Sequence, residues 1–125
     1  MGEVAALKRY QLRGGNDGVN NIIPVLDPSY YGNRATIGIA KHPSGDSLYQ
    51  ATSGPGSCPG LDPANPGAAI PLCNGFAGLH PAMSDMAPLY NTGDLAFIHR
   101  VAYRSQSRSH FDSEKYWEKA TDGTA

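Results

Sequence analysis

The residue near the start of the chain whose type and setting best suit chemistry is Asp17. It lies in a run with three glycines, Gln11-Leu12-Arg13-Gly14-Gly15-Asn16-Asp17-Gly18-Val19-Asn20. Glycine is typical of positions where the backbone takes positive φ or approaches another group closely. A turn of this kind after a strand lies where open α/β sheets place their chemistry. Asp17 is therefore a candidate metal ligand, and a helix N-cap in a tight turn is the structural alternative.

A second candidate, Ser109, begins a predicted helix near the end of the chain. The free N–H groups and the dipole at a helix N-terminus favour an anion such as phosphate or sulfate. A serine hydroxyl becomes a good nucleophile when a base or a metal lowers its pKa. A divalent metal bound by Asp17 would have that effect and would screen an anionic ester. The alternative is that Ser109 is simply an N-cap.

Further polar residues flank the two candidates. Arg13 and Arg108 can bind an oxyanion with two parallel hydrogen bonds, or can be solvated arginines. His110 is a possible substrate-binding residue or an ordinary polar residue of a first helical turn. The other three histidines are not candidates for chemistry. No role is assigned to His42, His80 is expected to form a hydrogen bond within its loop, and His99 is expected to lie in a strand.

The elements that must position these residues follow an α/β pattern. Asp27 before Pro28 is typical of a helix start, and Gly93 is suited to a left-handed helix end followed by an apolar strand. Helix, glycine cap and strand form the second half of a βαβ unit, which predicts a parallel sheet. Pro88 is expected to kink or shorten the second helix. The predicted strands cover 4–12, 36–40 and 95–102, and the predicted helices cover 28–34, 79–90 and 109–119.

Two or three parallel strands would leave the faces and edges of their sheet bare. We therefore expect the 125 residues to be the N-terminal part of one larger α/β domain. The first and last strands would end at the same edge of the sheet, and would bring Asp17 and the loop before Ser109 together.

Composition limits the function classes. Ten Lys and Arg residues balance 11 Asp and Glu residues, and no basic stripe suggests a nucleic-acid surface. No apolar run has the length needed to span a membrane. No secretory or twin-arginine signal begins at Met1, so we expect either a cytoplasmic protein or a leader that this sequence lacks.

The segment 41–74 is rich in glycine and proline and shows no period, which predicts a loop-rich insertion. Such a segment is either a functional excursion or a surface insertion without a role. It contains both cysteines, Cys58 and Cys73. They can form one disulfide in an oxidising compartment or remain two free thiols, and we favour the disulfide because little else would hold the segment.

Four ordered motifs resemble one family, the domain of unknown function 1501 family of the alkaline phosphatase and sulfatase superfamily. Its members are typically exported by the twin-arginine route. The motifs cover most of the chain outside 41–74: Leu12-Arg13-Gly14-Gly15-Asn16-Asp17-Gly18-Val19-Asn20, Asp27-Pro28-Ser29-Tyr30-Tyr31, Gly78-Leu79-His80-Pro81-Ala82, and Ser107-Arg108-Ser109-His110-Phe111-Asp112 with Tyr116-Trp117-Glu118.

The resemblance implies an alkaline-phosphatase-like α/β fold and a periplasmic or secreted location. The superfamily's metal-binding acidic residue maps onto Asp17, and its serine or threonine nucleophile maps onto Ser109. The remaining Asp and His ligands come from the C-terminal half of the superfamily domain, so the 125 residues alone are expected to be inactive. The formylglycine sulfatase signature needs Cys or Ser three residues before the Ser107-Arg108 pair, and Arg104 stands there.

The sequence thus predicts the N-terminal portion of a metal-dependent hydrolase that acts on small phosphate or sulfate esters. The rival hypothesis is a non-catalytic exported domain that keeps the fold to bind a protein or a surface glycan. A third is a small binding domain that folds by itself.

Overall fold

The computed structural model describes residues 17–52, 57–99 and 101–121. These residues belong to two compact units, one formed by Asp17–His99 and the other containing 101–121. The fold is mixed α/β, with short helices and a small antiparallel sheet. The predicted strand at 4–12 lies outside the described residues. No helix in the described ranges is long and apolar enough to cross a membrane.

The first unit contains three α-helices, two 3₁₀ helices and three two-residue strands among its described residues. In chain order these are α1 Gly18–Asn21, β1 Ile22–Ile23, α2 Pro28–Asn33, a 3₁₀ helix Asp46–Tyr49, β2 Ile70–Pro71, β3 Gly78–Leu79, a second 3₁₀ helix Pro81–Met83 and α3 Met86–Thr92. The second unit contains α4, His110–Lys119.

The sheet has the order β1-β3-β2, and both pairings are antiparallel. Leu79 is the partner of both Ile22 and Ile70. Pro71 is tolerated because β2 is an edge strand, where a missing N–H costs no interior ladder bond. The described strands are therefore not the parallel strands expected from the sequence, and they consist of other residues.

Side chains alternate across the sheet, so each face carries its own core cluster. The first cluster contains Ile23, Val25, Tyr30, Tyr49 and Ala69. The second contains Ile70, Leu72, Ala77, Leu79 and Ala87. Burial of each large apolar side chain stabilises the fold by about 1.5–3 kcal/mol.

Tyr49 connects the first cluster to the surrounding backbone. Its buried hydroxyl accepts a hydrogen bond from His42 N at 2.9 Å and donates one to Ala69 O at 2.7 Å. Its ring lies against β3, where a Cβ atom on Gly78 would stand 3.1 Å from Tyr49 Cε1 and 3.0 Å from Ala69 Cβ. A glycine is needed at position 78 because any larger residue would displace this ring or the neighbouring strand.

The segment 41–74 is mostly irregular, but it contributes to both core clusters. Tyr49 and Ala69 belong to the first cluster, and Ile70 and Leu72 belong to the second. The interpretation as a surface insertion without a role is therefore wrong, since the core of this unit is incomplete without it.

Two predicted strands are not strands in the structure. Residues 36–40 are irregular because side chains bind their backbone: Asn20 Nδ2 donates to Ile37 O at 2.9 Å, and Ile39 N donates to Tyr30 Oη at 2.7 Å. Residues 95–99, 101 and 102 are also irregular. There Phe97 stacks on Tyr90 with ring centroids 5.4 Å apart, while Ile98 is 83% exposed.

The predicted helix boundaries agree better with the structure. α2 begins after Asp27, whose carboxylate accepts from Ser29 N, as predicted. Gly93 ends α3 with φ 83°, the predicted left-handed cap. The helix predicted over 79–90 divides into the second 3₁₀ helix and α3. Pro88 does not interrupt α3, because it lies in the first turn, where backbone N–H groups have no helical partner.

We predict that Tyr49→Phe lowers the free energy of unfolding by about 1–3 kcal/mol, because His42 N and Ala69 O each lose a buried partner. Tyr31→Phe is the matched control, since the Tyr31 hydroxyl is buried without a hydrogen-bond partner in the described ranges. That variant should be as stable as the wild type or slightly more so. Urea unfolding of the three proteins measures both effects, and equal losses would contradict the role given to the Tyr49 hydroxyl.

A second prediction concerns Gly78. Gly78→Ala should destabilise the fold by about 1–3 kcal/mol, because the added methyl group meets Ala69, Ile70 O and the Tyr49 ring within 3.1 Å. Gly32→Ala in α2 is the control, as a Cβ there has no neighbour within 4 Å. Its stability should remain the same or rise, since alanine favours a helix. Thermal or urea unfolding of both variants and the wild type measures these effects. A Gly78→Ala protein as stable as the wild type would contradict the close packing at this position.

Candidate functional site

Asp17 lies directly before α1 and forms an ion pair with Arg34. Its backbone carbonyl accepts from Asn20 N at 2.9 Å, but its side chain caps no described backbone N–H group. One carboxylate oxygen lies 2.5 Å from Arg34 Nη1. The hydrogen bond that Arg34 donates to this carboxylate raises the pKa of Arg34 above its ordinary value. Asp17 thus occupies the N-cap position, but its carboxylate binds Arg34.

Sequence reasoning missed Arg34, which directly follows α2. The two partners are separated by 17 positions, and no local motif indicates their pairing. The ion pair is partly exposed, with side-chain exposures of 24% for Arg34 and 41% for Asp17. The positive charge of Arg34 therefore repels a cation that approaches this carboxylate. The second carboxylate oxygen is not bonded to Arg34.

Ser109 is the N-cap residue of α4, as its structural interpretation predicts. Its Oγ accepts a hydrogen bond from Asp112 N at 3.4 Å, and its own N–H donates to Ser107 Oγ at 3.1 Å. Asp112 lies in the first turn, and Lys119 lies in the last. Both charges complement the helix dipole. The hydroxyl of Ser109 is half-buried and has a structural use whether or not it is a nucleophile.

A hydrogen-bond network fixes the loop that precedes Ser109. Tyr103 Oη accepts from Ser107 N at 2.9 Å and lies 2.8 Å from Ser113 Oγ. Ser113 Oγ donates to Ser107 O at 3.0 Å, so the Tyr103 hydroxyl donates to Ser113. The Tyr103 ring also lies edge-on to Tyr116 and Trp117. Contacts from within α4 therefore hold the backbone that carries Ser109.

The other predicted site residues are less constrained. Arg108 and His110 are exposed and flank Ser109 in the sequence. Arg13 lies outside the described residues. Asp17 belongs to the first unit and Ser109 to the second, so their meeting at one site stays a prediction.

Cys58 and Cys73 form a disulfide in the structure, with Cα atoms 5.7 Å apart. The bond closes a loop of 15 positions. In a chain-entropy treatment, a loop of this length stabilises a fold by about 3 kcal/mol. The disulfide joins the segment before Asp62 to the turn between β2 and β3.

A cleft of about 350 Å³ lies beside this disulfide, within the first unit. Its apolar lining residues are Leu48, Pro59, Leu61 and Pro71. Its polar groups include His42 and Asp62, with His42 Nε2 lying 2.8 Å from Asp62 Oδ2. The sequence interpretation gave His42 no role and did not consider Asp62, because the two residues are 20 positions apart inside an aperiodic segment.

The hydrogen bonds of His42 identify its tautomer. Nδ1 accepts from Ser44 N at 3.1 Å, so it carries no proton. The proton is then on Nε2 and is donated to Asp62. Both ring nitrogens take part in hydrogen bonds. His42 therefore connects two loop segments and has no free ring nitrogen that could act as a general base.

Asp62 organises the turn that follows it. Its Oδ2 accepts from Asn65 Nδ2 at 2.7 Å as well as from His42, and its Oδ1 accepts from Ala64 N at 2.9 Å. These donors, Asn65 first and His42 second, lower the pKa of Asp62 to about 2. The carboxylate is therefore ionised at any ordinary pH.

The predictions for the remaining two histidines, His80 and His99, differ in their outcome. His80 Nδ1 accepts from Ala82 N at 3.0 Å and caps the second 3₁₀ helix, which confirms the predicted loop hydrogen bond. His99 does not lie in a strand. Its ring is edge-on to Phe76, with centroids 6.1 Å apart.

Within the described ranges, no three His, Cys, Asp or Glu residues are grouped so that they could hold a metal ion. Comparison of the chain with protein-family models, with curated proteins and with solved structures gave no match.

We predict that NMR titration of the Asp62 carboxyl group gives a midpoint near pH 2, against an ordinary value of 3.8. Asn65→Ala should raise this pKa more than His42→Ala, because Asn65 makes the larger contribution. Since the folded pKa is lower than the unfolded one, ionised Asp62 stabilises the fold at pH above about 4. That contribution is lost as pH falls through about 2.

Asp62→Asn should accordingly remove part of the acid dependence of unfolding in that range, whereas the exposed Asp85→Asn serves as the control. A midpoint close to 3.8 in the folded protein would contradict the hydrogen bonding assigned to Asp62.

Proposed function

We propose that this chain is the N-terminal portion of a metal-dependent hydrolase of phosphate or sulfate esters, in the domain of unknown function 1501 family. The observation that carries the proposal is the position of Ser109 at the start of the ten-residue helix α4. A hydroxyl at that position is next to backbone N–H groups that favour an anionic ester. The four ordered sequence motifs support the same assignment.

In this proposal, Ser109 Oγ attacks the phosphorus or sulfur atom of the ester. The bond to the alcohol oxygen breaks, and the proton lost by the Ser109 hydroxyl passes to that oxygen, so that the free alcohol leaves. Water then attacks the phosphorus or sulfur atom of the serine ester, returns a proton to Ser109 Oγ and releases phosphate or sulfate. The exposed Arg108 and His110 contact the ester oxygens. Arg13 is a further candidate for that role.

The metal centre in this proposal is only partly supplied by the chain. Asp17 offers one carboxylate, which the ion pair with Arg34 orients. The described residues do not form a complete metal site by themselves, so further Asp and His ligands would come from the C-terminal half of the domain. A bound divalent cation would supply charge to activate the hydroxyl and neutralise the ester.

The proposal includes an alkaline-phosphatase-like parallel sheet and a periplasmic or secreted location. The sheet would involve strands other than the three antiparallel ones described above. The Cys58–Cys73 disulfide supports export, because disulfides persist in oxidising compartments.

The test uses the longest protein that the gene encodes around these residues, assayed with a generic aryl phosphate and aryl sulfate with and without a chelator. Ser109→Asn should lose at least about 10³-fold in kcat because it lacks a hydroxyl nucleophile, while its thermal stability stays close to wild type, since asparagine is also a good N-cap. Ser109→Thr keeps both hydroxyl and cap and should retain partial activity.

Asp17→Asn should lower metal affinity together with turnover, and Ser47→Ala on an exposed 3₁₀ turn is the control. If Ser109→Asn turns over both esters as fast as wild type, the nucleophile assignment is wrong. If chelation leaves turnover unchanged, the metal dependence is wrong.

A second function, a non-catalytic exported binding domain, is favoured by one specific observation. Asp17 and Ser109 each have a structural use, Asp17 in the Arg34 ion pair and Ser109 as the α4 N-cap. In that case Asp17→Asn would reduce stability while calorimetry shows no divalent-cation binding to wild type or variant. Measurable binding that Asp17→Asn weakens would exclude this reading.

A further inference from the structure

Residues 59–67 are called here the strap, and the first four of them line part of the cleft. The other lining residues, His42, Ser44, Leu48 and Pro71, come from elsewhere in the first unit. The width of the cleft is therefore set by where the strap lies relative to the rest of the first unit.

The strap contributes nothing to the core. None of residues 59–67, all of which the structure describes, is buried. Immediately after it, Ala68, Ala69 and Ile70 are 8%, 1% and 1% exposed. Apolar burial thus fixes the chain from Ala68 onward more firmly than the strap, where Leu61 stays 37% exposed.

Specific contacts hold the strap in place instead. The Cys58–Cys73 disulfide fixes its beginning, and Asn91 Nδ2 from α3 donates to Cys58 O at 3.1 Å. Near its middle, His42 donates to Asp62. The hydrogen bonds of Asp62 with Ala64 and Asn65 are internal to the strap, so they shape it without attaching it.

The other half of the disulfide is held independently. Cys73 lies in the turn between β2 and β3, where Leu72 N donates to Ala77 O at 3.3 Å and Asn74 Oδ1 accepts from Ala77 N at 2.8 Å. Gly75 N also donates to Tyr49 O at 3.0 Å. These bonds do not involve either sulfur atom, so the turn does not need the disulfide.

We propose that the Cys58–Cys73 disulfide is a redox-operated latch: its reduction releases the strap and opens the cleft while the sheet and both core clusters stay folded. This inference is independent of the proposed hydrolase activity. The reductant is a dithiol. It gives two electrons and two protons to the disulfide, so that Cys58 and Cys73 become thiols and the dithiol becomes a disulfide.

The His42–Asp62 hydrogen bond and the Asn91 contact do not replace the latch. The net stabilisation from a hydrogen bond is small because water competes for both partners. The backbone entropy that every residue of the strap regains on release opposes this small stabilisation. Among the attachments of the strap to described residues, the disulfide is covalent, so water cannot replace it.

The experiment compares ¹⁵N relaxation of the chain before and after reduction with dithiothreitol. In the oxidised protein, order parameters of the strap and of residues 69–79 should both be near the rigid value of about 0.85. After reduction, those of the strap should fall below about 0.6, the flexible range, while those of residues 69–79 stay near 0.85. The Nε2–H signal of His42 should lose its protection from exchange at the same time.

Two variants sharpen the test. The double variant Cys58→Ser, Cys73→Ser should show the released strap without reductant, and dithiothreitol should change nothing further in it. His42→Ala in the oxidised protein should keep the strap ordered, because the latch is intact. In situ reduction of the folded wild type keeps the test available if the double variant does not fold.

Either of two results overturns the proposal. If residues 69–79 lose order together with the strap, the disulfide is a general staple of the unit. If the strap keeps its order parameters after both thiols are shown to be free, the hydrogen bonds are sufficient and there is no latch.

Discussion

The first unit depends most on the position of the Tyr49 side chain. Its hydroxyl joins His42 N to Ala69 O, and its ring occupies the space that Gly78 leaves on β3. One residue in a 3₁₀ helix thereby fixes the backbone before it, the strand-forming segment after it and the central strand of the sheet. His42 then carries its imidazole to Asp62, so the geometry of the cleft also follows from the placement of this phenol.

Side chains in this unit form hydrogen bonds with backbone groups that would pair with neighbouring strands in a larger sheet. With strands of two residues, the sheet provides few hydrogen bonds. The backbone groups of Ile37, Ile39, Ala64 and Ala77 are instead satisfied by Asn20, Tyr30, Asp62 and Asn74. Such bonds connect positions that are far apart in the sequence or shape one local turn, and each depends on a single side chain. A unit built this way is sensitive to conservative substitutions that would be harmless on a long strand.

The sequence predicted the local features and missed the distant ones. Asp27 before Pro28, Gly93 and Ser109 end or begin helices because cap chemistry involves neighbouring residues, so their positions could be predicted. The Asp17–Arg34 and His42–Asp62 pairs span 17 and 20 positions and leave no periodic signal. The run from Leu95 has strand-like composition, but its described residues pack through aromatic contacts such as Phe97 on Tyr90 rather than through strand pairing. Composition reports which side chains can be buried, whereas pairing depends on what else is nearby.

The proline in β2 has a consequence for assembly. Pro71 carries no N–H, and Ala40 O already accepts the neighbouring amide of Ala69 at 2.9 Å. A foreign extended peptide that approached this side would find one donor missing and another engaged, which is how natural sheets discourage edge-to-edge polymerisation. At the opposite margin the amide of Ile22 is engaged as well, since it donates to Gly18 O at the end of α1. Both margins of the described sheet are therefore protected against edge-to-edge growth.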